Sequence, residues 1–175
     1  MKWSSALFVA AGLLAATSTT QAKQVMCVFD LVGKNGDVFT LMKDYQLAAK
    51  NWGADLELKV NSNEAVIAED FKAGKCDAVS ITGMRGRQFN NFTGSLDAIG
   101  AIPDLSLAIK VMQGLASPNF AKYMTSGQYE VVGVIPVGDA FLMVNDRNIN
   151  TVAKAAGKKI AVLDYDKAKN IMVQQ

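Results

Sequence analysis

Arginine holds a carboxylate or phosphate through two parallel hydrogen bonds, a geometry lysine cannot match. This chain sets two arginines two positions apart, Arg85 and Arg87, in a stretch rich in glycine and asparagine. They are its strongest charged candidates for binding an anion, the alternative being a solvated loop. Asp30 and Asp164 would suit a cationic ligand, and Asp164 also stands where a helix N-cap belongs. Asn63 and Thr82 are ordinary hydrogen-bonding residues favoured by position, and Phe141 lies near a segment that crosses between lobes. The loop 33–37 (GKNGD) opens a helix, so its backbone N–H groups could hold an anion. It lacks the Gly-Lys-Ser/Thr ending of a phosphate-binding loop and reads equally as a glycine-rich turn with a cap at Asp37.

Other chemistry is excluded by what the chain lacks. It contains no histidine, so neither a Ser-His-Asp nor a Cys-His nucleophile can be built, nor a His-ligated zinc or iron site. Its two cysteines, Cys27 and Cys76, are too few and too far apart for a zinc cluster. No metal or cofactor is expected, and an enzyme would need a carboxylate or lysine base such as Asp30 or Asp164. Basic and acidic residues nearly balance, 18 against 16, and no aromatics interleave with basic residues. Nucleic acid and anionic membranes are therefore not the expected partners.

The elements that must position these residues alternate. Residues 25–29 read as a strand, and 38–52 carry apolar residues at helical spacing (Val38, Leu41, Met42, Tyr45, Ala48, Ala49, Trp52), with Gly53 as the C-cap. Residues 56–60 alternate as a strand, 61–63 form a turn and cap, and 64–73 an amphipathic helix that stops at Gly74. Residues 77–81 make a third strand. This β-α-β-α-β order implies a doubly wound parallel sheet, with Trp52 and Phe71 expected in its core. Ligands in such folds sit beyond the carboxyl ends of the strands. That edge comprises residues 30–36, 61–64 and 82–87, with Phe141 and the Asp164-Tyr165 pair facing it from a second lobe. If the strand order is 2-1-3, the first and third strands are neighbours, spaced about 4.8 Å. A structural disulfide Cys27–Cys76 is then expected, away from the ligand edge, the alternative being two separate buried thiols.

Further along, 82–93 reads as irregular and 105–124 as helical with a break near Pro118. Strands are expected at 129–135, 140–144 and 159–163, and a short helix at 150–156 ends in Gly157. A final helix from 165 to 175 has an apolar face (Ala168, Ile171, Met172, Val173) with no later element to cover it. The second α/β lobe therefore reads as incomplete: a fragment of something longer, or a chain completed by a partner.

The N-terminus reads as an export signal. Lys2 is followed by an unbroken apolar run from 6 to 16 and by Thr20-Gln21-Ala22, small residues at both recognition positions of a cleavage site. Eleven residues of helix rise only about 16 Å, roughly half a bilayer core, so an anchor is disfavoured. The expected organisation is a signal peptide at 1–22, a first ligand-binding lobe at 23–128, and the crossing strand with the start of a second lobe at 129–175. No later segment is apolar enough to span a membrane, and a periplasmic location follows from export.

Three stretches carry a family resemblance. Residues 71–80 (FKAGKCDAVS) end a helix at a glycine and open the third strand with an aspartate. Residues 96–103 (LDAIGAIP) lead into a helix at 108–114 (AIKVMQG), and 145–152 (NDRNINTV) into 157–162 (GKKIAV). With these the chain resembles the periplasmic solute-binding proteins of tripartite ATP-independent transporters. Within them it resembles a subgroup sometimes labelled with efflux or aminoglycoside resistance. The resemblance implies capture of a small-molecule solute and delivery to membrane transporter subunits. It also implies an arginine in the strand at 160–162 that clamps a substrate carboxylate; this chain has Ala161 there. A second reading is an accessory envelope protein that no longer binds a solute. A chain with one cleavable apolar segment cannot itself form a pump.

Overall fold

The computed structural model describes residues 23–98, 100–138, 143–161 and 171. Strand β1 (Gln24–Phe29) is central because it is apolar on both faces: Cys27 and Val28, pointing oppositely, are both buried. It pairs in parallel with β2 (Leu56–Asn61), from Gln24 opposite Leu56 to Phe29 opposite Asn61. On its other side it pairs in parallel with β3 (Ala78–Ser80), Met26 opposite Ala78. The order is β2-β1-β3, which makes the first and third strands neighbours.

Helix α1 (Asp37–Lys50) connects β1 to β2, and α2 (Glu64–Lys72) connects β2 back across β1 to β3. Right-handed crossovers in these two directions put the helices on opposite faces. On one face Ile67 packs with Cys27 and Cys76, and Val25, Phe29, Phe71, Val79 and Ile81 close around them. On the other, Val28 is fully buried, α1 buries Met42, and Gln46 Nε2 donates to the Leu56 carbonyl at 2.6 Å.

Both long connections stop as the glycines predict. Gly53 and Gly74 have φ of 84° and 71°, which a β-carbon resists. Each sits in a six-to-one turn, Ala54 N–H to Ala49 O at 3.1 Å and Lys75 N–H to Asp70 O at 2.9 Å. Asp77 then pins the start of β3 to β1 twice. Its Oδ2 accepts from Val25 N–H at 2.7 Å, and its own N–H donates to Val25 O at 2.8 Å. Next to it the Cys27–Cys76 disulfide is formed, with Cα atoms 5.8 Å apart and both residues buried.

Several expectations are corrected. Asp37 is not the cap of α1 but its first residue; the N-cap is Gly36. Trp52 is 89% exposed rather than core, because α1 ends before it and the Gly53 turn carries it outward, whereas Phe71 is packed as expected. The stretch 82–93 is not wholly irregular: α3 (Gly83–Gly86) lies within it, and α4 (Thr93–Leu96) begins at its end. The following helical region is α5 (Leu105–Leu115), a 3-10 turn at Pro118–Phe120 and α6 (Ala121–Met124), broken where the proline predicts.

Strand 129–135 shrinks to a two-residue pairing of β4 (Thr125–Ser126) with β5 (Tyr129–Glu130) around Gly127. Residues 131–138, 143–144 and 159–161 carry no strand, although Val131 N–H still donates to Met124 O at 2.8 Å; residues 140–142 and 162–163 of the other two expected strands lie outside the described residues. The short helix near 150–156 is α7 (Val152–Ala155), capped by Thr151. The expected helix at 165–175 lies outside the described residues, apart from Ile171. No helix among the described residues is long and apolar enough to cross a membrane.

Candidate functional site

The carboxyl ends of β1, β2 and β3 carry most of the predicted site residues, and their side chains are engaged in building that edge. Asp30 follows β1 and is buried, 5% exposed. Its Oδ1 accepts from Val32 N–H at 2.8 Å and its Oδ2 from Phe39 N–H at 2.9 Å. Phe39 is the third residue of α1, so Asp30 is a capping carboxylate supplied from outside the helix. The Phe39 N–H holds the Asp30 carboxyl below its usual value; burial opposes this, and the amides of Val32, Val38 and Gly33 reinforce it. A β-carbon at Gly36 would overlap the Asp30 carboxylate, so the glycine makes room for this cap. The two amides that hydrogen-bond the Asp30 carboxylate, Val32 and Phe39, flank the loop 33–37.

Asn63 is the N-cap of α2, its Oδ1 accepting from Ala65 N–H at 3.0 Å and Val66 N–H at 3.4 Å. Thr82 caps α3 in the same way, its Oγ1 accepting from Arg85 N–H at 3.2 Å. The two predicted arginines diverge. Arg87 is exposed and lies over Gly94, where a β-carbon would meet its aliphatic stem; its Nη1 is 3.8 Å from Met84 Sδ. Arg85 turns instead to the edge, its Nε 3.7 Å from Glu64 Oε2, with 21% of its side chain accessible.

Glu64 lies in the expected edge segment 61–64, but nothing in the sequence singled it out. It is 4% exposed, and its Oε1 accepts from Thr82 N–H at 2.5 Å. Glutamate directly after an N-cap asparagine reads as a solvent-facing residue that complements the helix dipole. The signal against that reading is that Glu64 precedes a helix crossing back to β3, whose loop carries arginine. Glu64, Thr82 and Arg85 thereby form a closed ring: carboxylate to Thr82 amide, Thr82 hydroxyl to Arg85 amide, and guanidinium back to carboxylate. The segment behind the ring is tied down by buried groups. Thr93 Oγ1 lies 2.9 Å from the Gly83 and Asn90 carbonyls, and Asn90 Nδ2 donates to Tyr123 O at 2.8 Å.

The structure thus brings Thr82 and Arg85 together around Glu64, while Asn63 is engaged at the head of α2 and Asp30 at the head of α1. Phe141 and Asp164 lie outside the described residues. Ala161 is described and exposed. Among the described residues no group of three or more acidic, cysteine or histidine side chains is placed to hold a metal.

An open parallel sheet flanked by helices, with polar side chains gathered where its strands end, belongs to the α/β class. Within that class the chain belongs to the family described as solute-binding protein AdeT 1/2, whose family model matches residues 46–175. It is 57% identical over 147 residues, 84% of its length, to a protein of Acinetobacter baumannii named "Probable solute-binding protein AdeT1". It is 35% identical over 81 residues, 46% of its length, to another from that organism named "Probable solute-binding protein AdeT2". The matches span 48% of the first relative and 34% of the second. No solved structure matches the chain.

Proposed function

We propose that this chain captures a small anionic solute in the periplasm and delivers it to the subunits of a membrane transporter of the tripartite ATP-independent type. Arg85 is the anchor of this reading. Its guanidinium stands at the carboxyl edge of the parallel sheet, beside a buried carboxylate that fixes one side of it. Membership of a solute-binding family supports the capture of a small molecule. An arginine at the sheet edge supports a carboxylate or phosphate as the group recognised, and it stands in for the clamp missing at Ala161.

In this reading Asn63 and Thr82 shape the site by capping α2 and α3, and Asp30 holds the β1–α1 corner. Phe141 and Asp164, assigned by sequence to a second lobe at 129–175 with the first lobe at 23–128, are proposed as further solute contacts. The N-terminal 22 residues direct export and are removed. A thermal-shift screen of the chain against organic acids, phosphonates, amines and aminoglycosides tests the proposal, because a bound solute must raise stability. Stabilisation by acids that is lost in Arg85→Ala is the expected outcome. Stabilisation by no solute at millimolar concentration overturns it.

A further inference from the structure

Arg85 is a long flexible side chain on a four-residue helix, and such a side chain anchors a ligand only if something else limits its motion. Resting on the solute-binding reading, we infer that Glu64 is the positioning residue that sets Arg85 at the sheet edge. Three observations meet there. Glu64 is an acid whose side chain is only 3% exposed, in a position where acids are rarely found without a charged partner. Its Oε1 is fixed by the Thr82 amide, so the carboxylate has one orientation. Its Oε2 has no hydrogen-bond donor within reach among the described residues and faces Arg85 Nε at 3.7 Å.

That separation is an ion pair one short step from a charge-assisted hydrogen bond, which forms near 2.8 Å. The ring through Thr82 carries the same constraint by a second route, since Thr82 also accepts from the Arg85 backbone. Glu64 thus joins the head of α2, the end of β3 and the α3 arginine into one unit. Drawing a ligand anion to Arg85 against the nearby carboxylate has a Coulombic cost, so Glu64 acts by geometry and in spite of its charge.

This opposition of signs makes the inference testable. The probes are acetate, succinate and inorganic phosphate, titrated calorimetrically into the parent chain, E64Q, R85K and the exposed control K110Q. Glu64→Gln keeps an oxygen for the Thr82 amide and removes the negative charge. If Glu64 positions Arg85, E64Q binds the best of these anions roughly tenfold more weakly, with K110Q unchanged. Tighter or unchanged binding in E64Q overturns the inference, since charge alone predicts a gain. Should E64Q fail to fold, R85K decides: it keeps the charge and loses the fork that Glu64 orients, so affinity falls, and parent-like affinity overturns the inference. Binding of neutral or cationic solutes alone, with all three anions silent, ends the Arg85 anchor and this inference but leaves solute capture standing.

Discussion

Asp30 shows how an acid at a strand end can be consumed by the backbone. Four amides of the β1–α1 corner draw its carboxyl pKa below the usual 3.8, the Phe39 N–H most strongly. The unfolded chain therefore binds this proton more readily than the folded one. The cap contributes its full stability above the unfolded value and loses it as pH falls through the lower folded value. Denaturant melts are expected to show stability falling as pH drops below the unfolded value toward the lower folded one, and Asp30→Asn is expected to flatten that slope. At neutral pH Asp30→Ala is expected to cost about 1–2 kcal/mol, the usual loss for a helix cap. None of this was legible beforehand, because Asp30 and Phe39 meet only through the turn between them. The pairing of Glu64 with Arg85 was hidden for the same reason: one lies on the second helix, the other past the third strand. Asn63 caps α2 as the reading of 61–63 as a turn and cap expected, while the Thr82 hydroxyl is engaged by the Arg85 amide.

Among the elements, the β-α-β-α-β order was readable because each piece declares itself locally. The apolar spacing of α1, the alternation in β2 and the glycines at 53 and 74 need no distant partner. Gly74→Ala meets open space around its new methyl group, so its whole penalty is backbone strain at φ 71°; a loss of about 1 kcal/mol in urea melts is expected. The disulfide was readable because a 2-1-3 order brings the only two cysteines to adjacent strands. It closes a separation of 49 residues, and its loss in a Cys27→Ser, Cys76→Ser double variant is expected to cost about 2–4 kcal/mol in paired denaturant melts. The strand expected at 129–135 fared differently. The apolar, β-branched run 132–135 has strand propensity, but pairing stops at Glu130 and a strand needs a partner for its amides.

For the molecule as a whole, the proposed export signal and the disulfide make one joint expectation. Chain recovered from the cell envelope should begin near Lys23 and carry no free thiol, whereas chain held in the cytoplasm should retain Met1 and two thiols. Intact mass with and without alkylation reads both. Envelope material that retains residues 1–22 would refute cleavage. Exposed apolar side chains such as Leu41 and Tyr45 lie on α1. Trp52 shares their helical spacing in sequence, but the helix ends at Lys50, so the periodicity that correctly marked α1 ran past its end and misplaced Trp52.

The fit between Asp30 and Gly36 has an evolutionary consequence. A side chain at position 36 is tolerable only if position 30 gives up its carboxylate, and a smaller residue at 30 removes the need for glycine at 36. The two sites are thus expected to be epistatic. Gly36→Ala should be damaging alone and much less so beside Asp30→Ala, and a double-mutant cycle would measure that coupling as a departure from additivity.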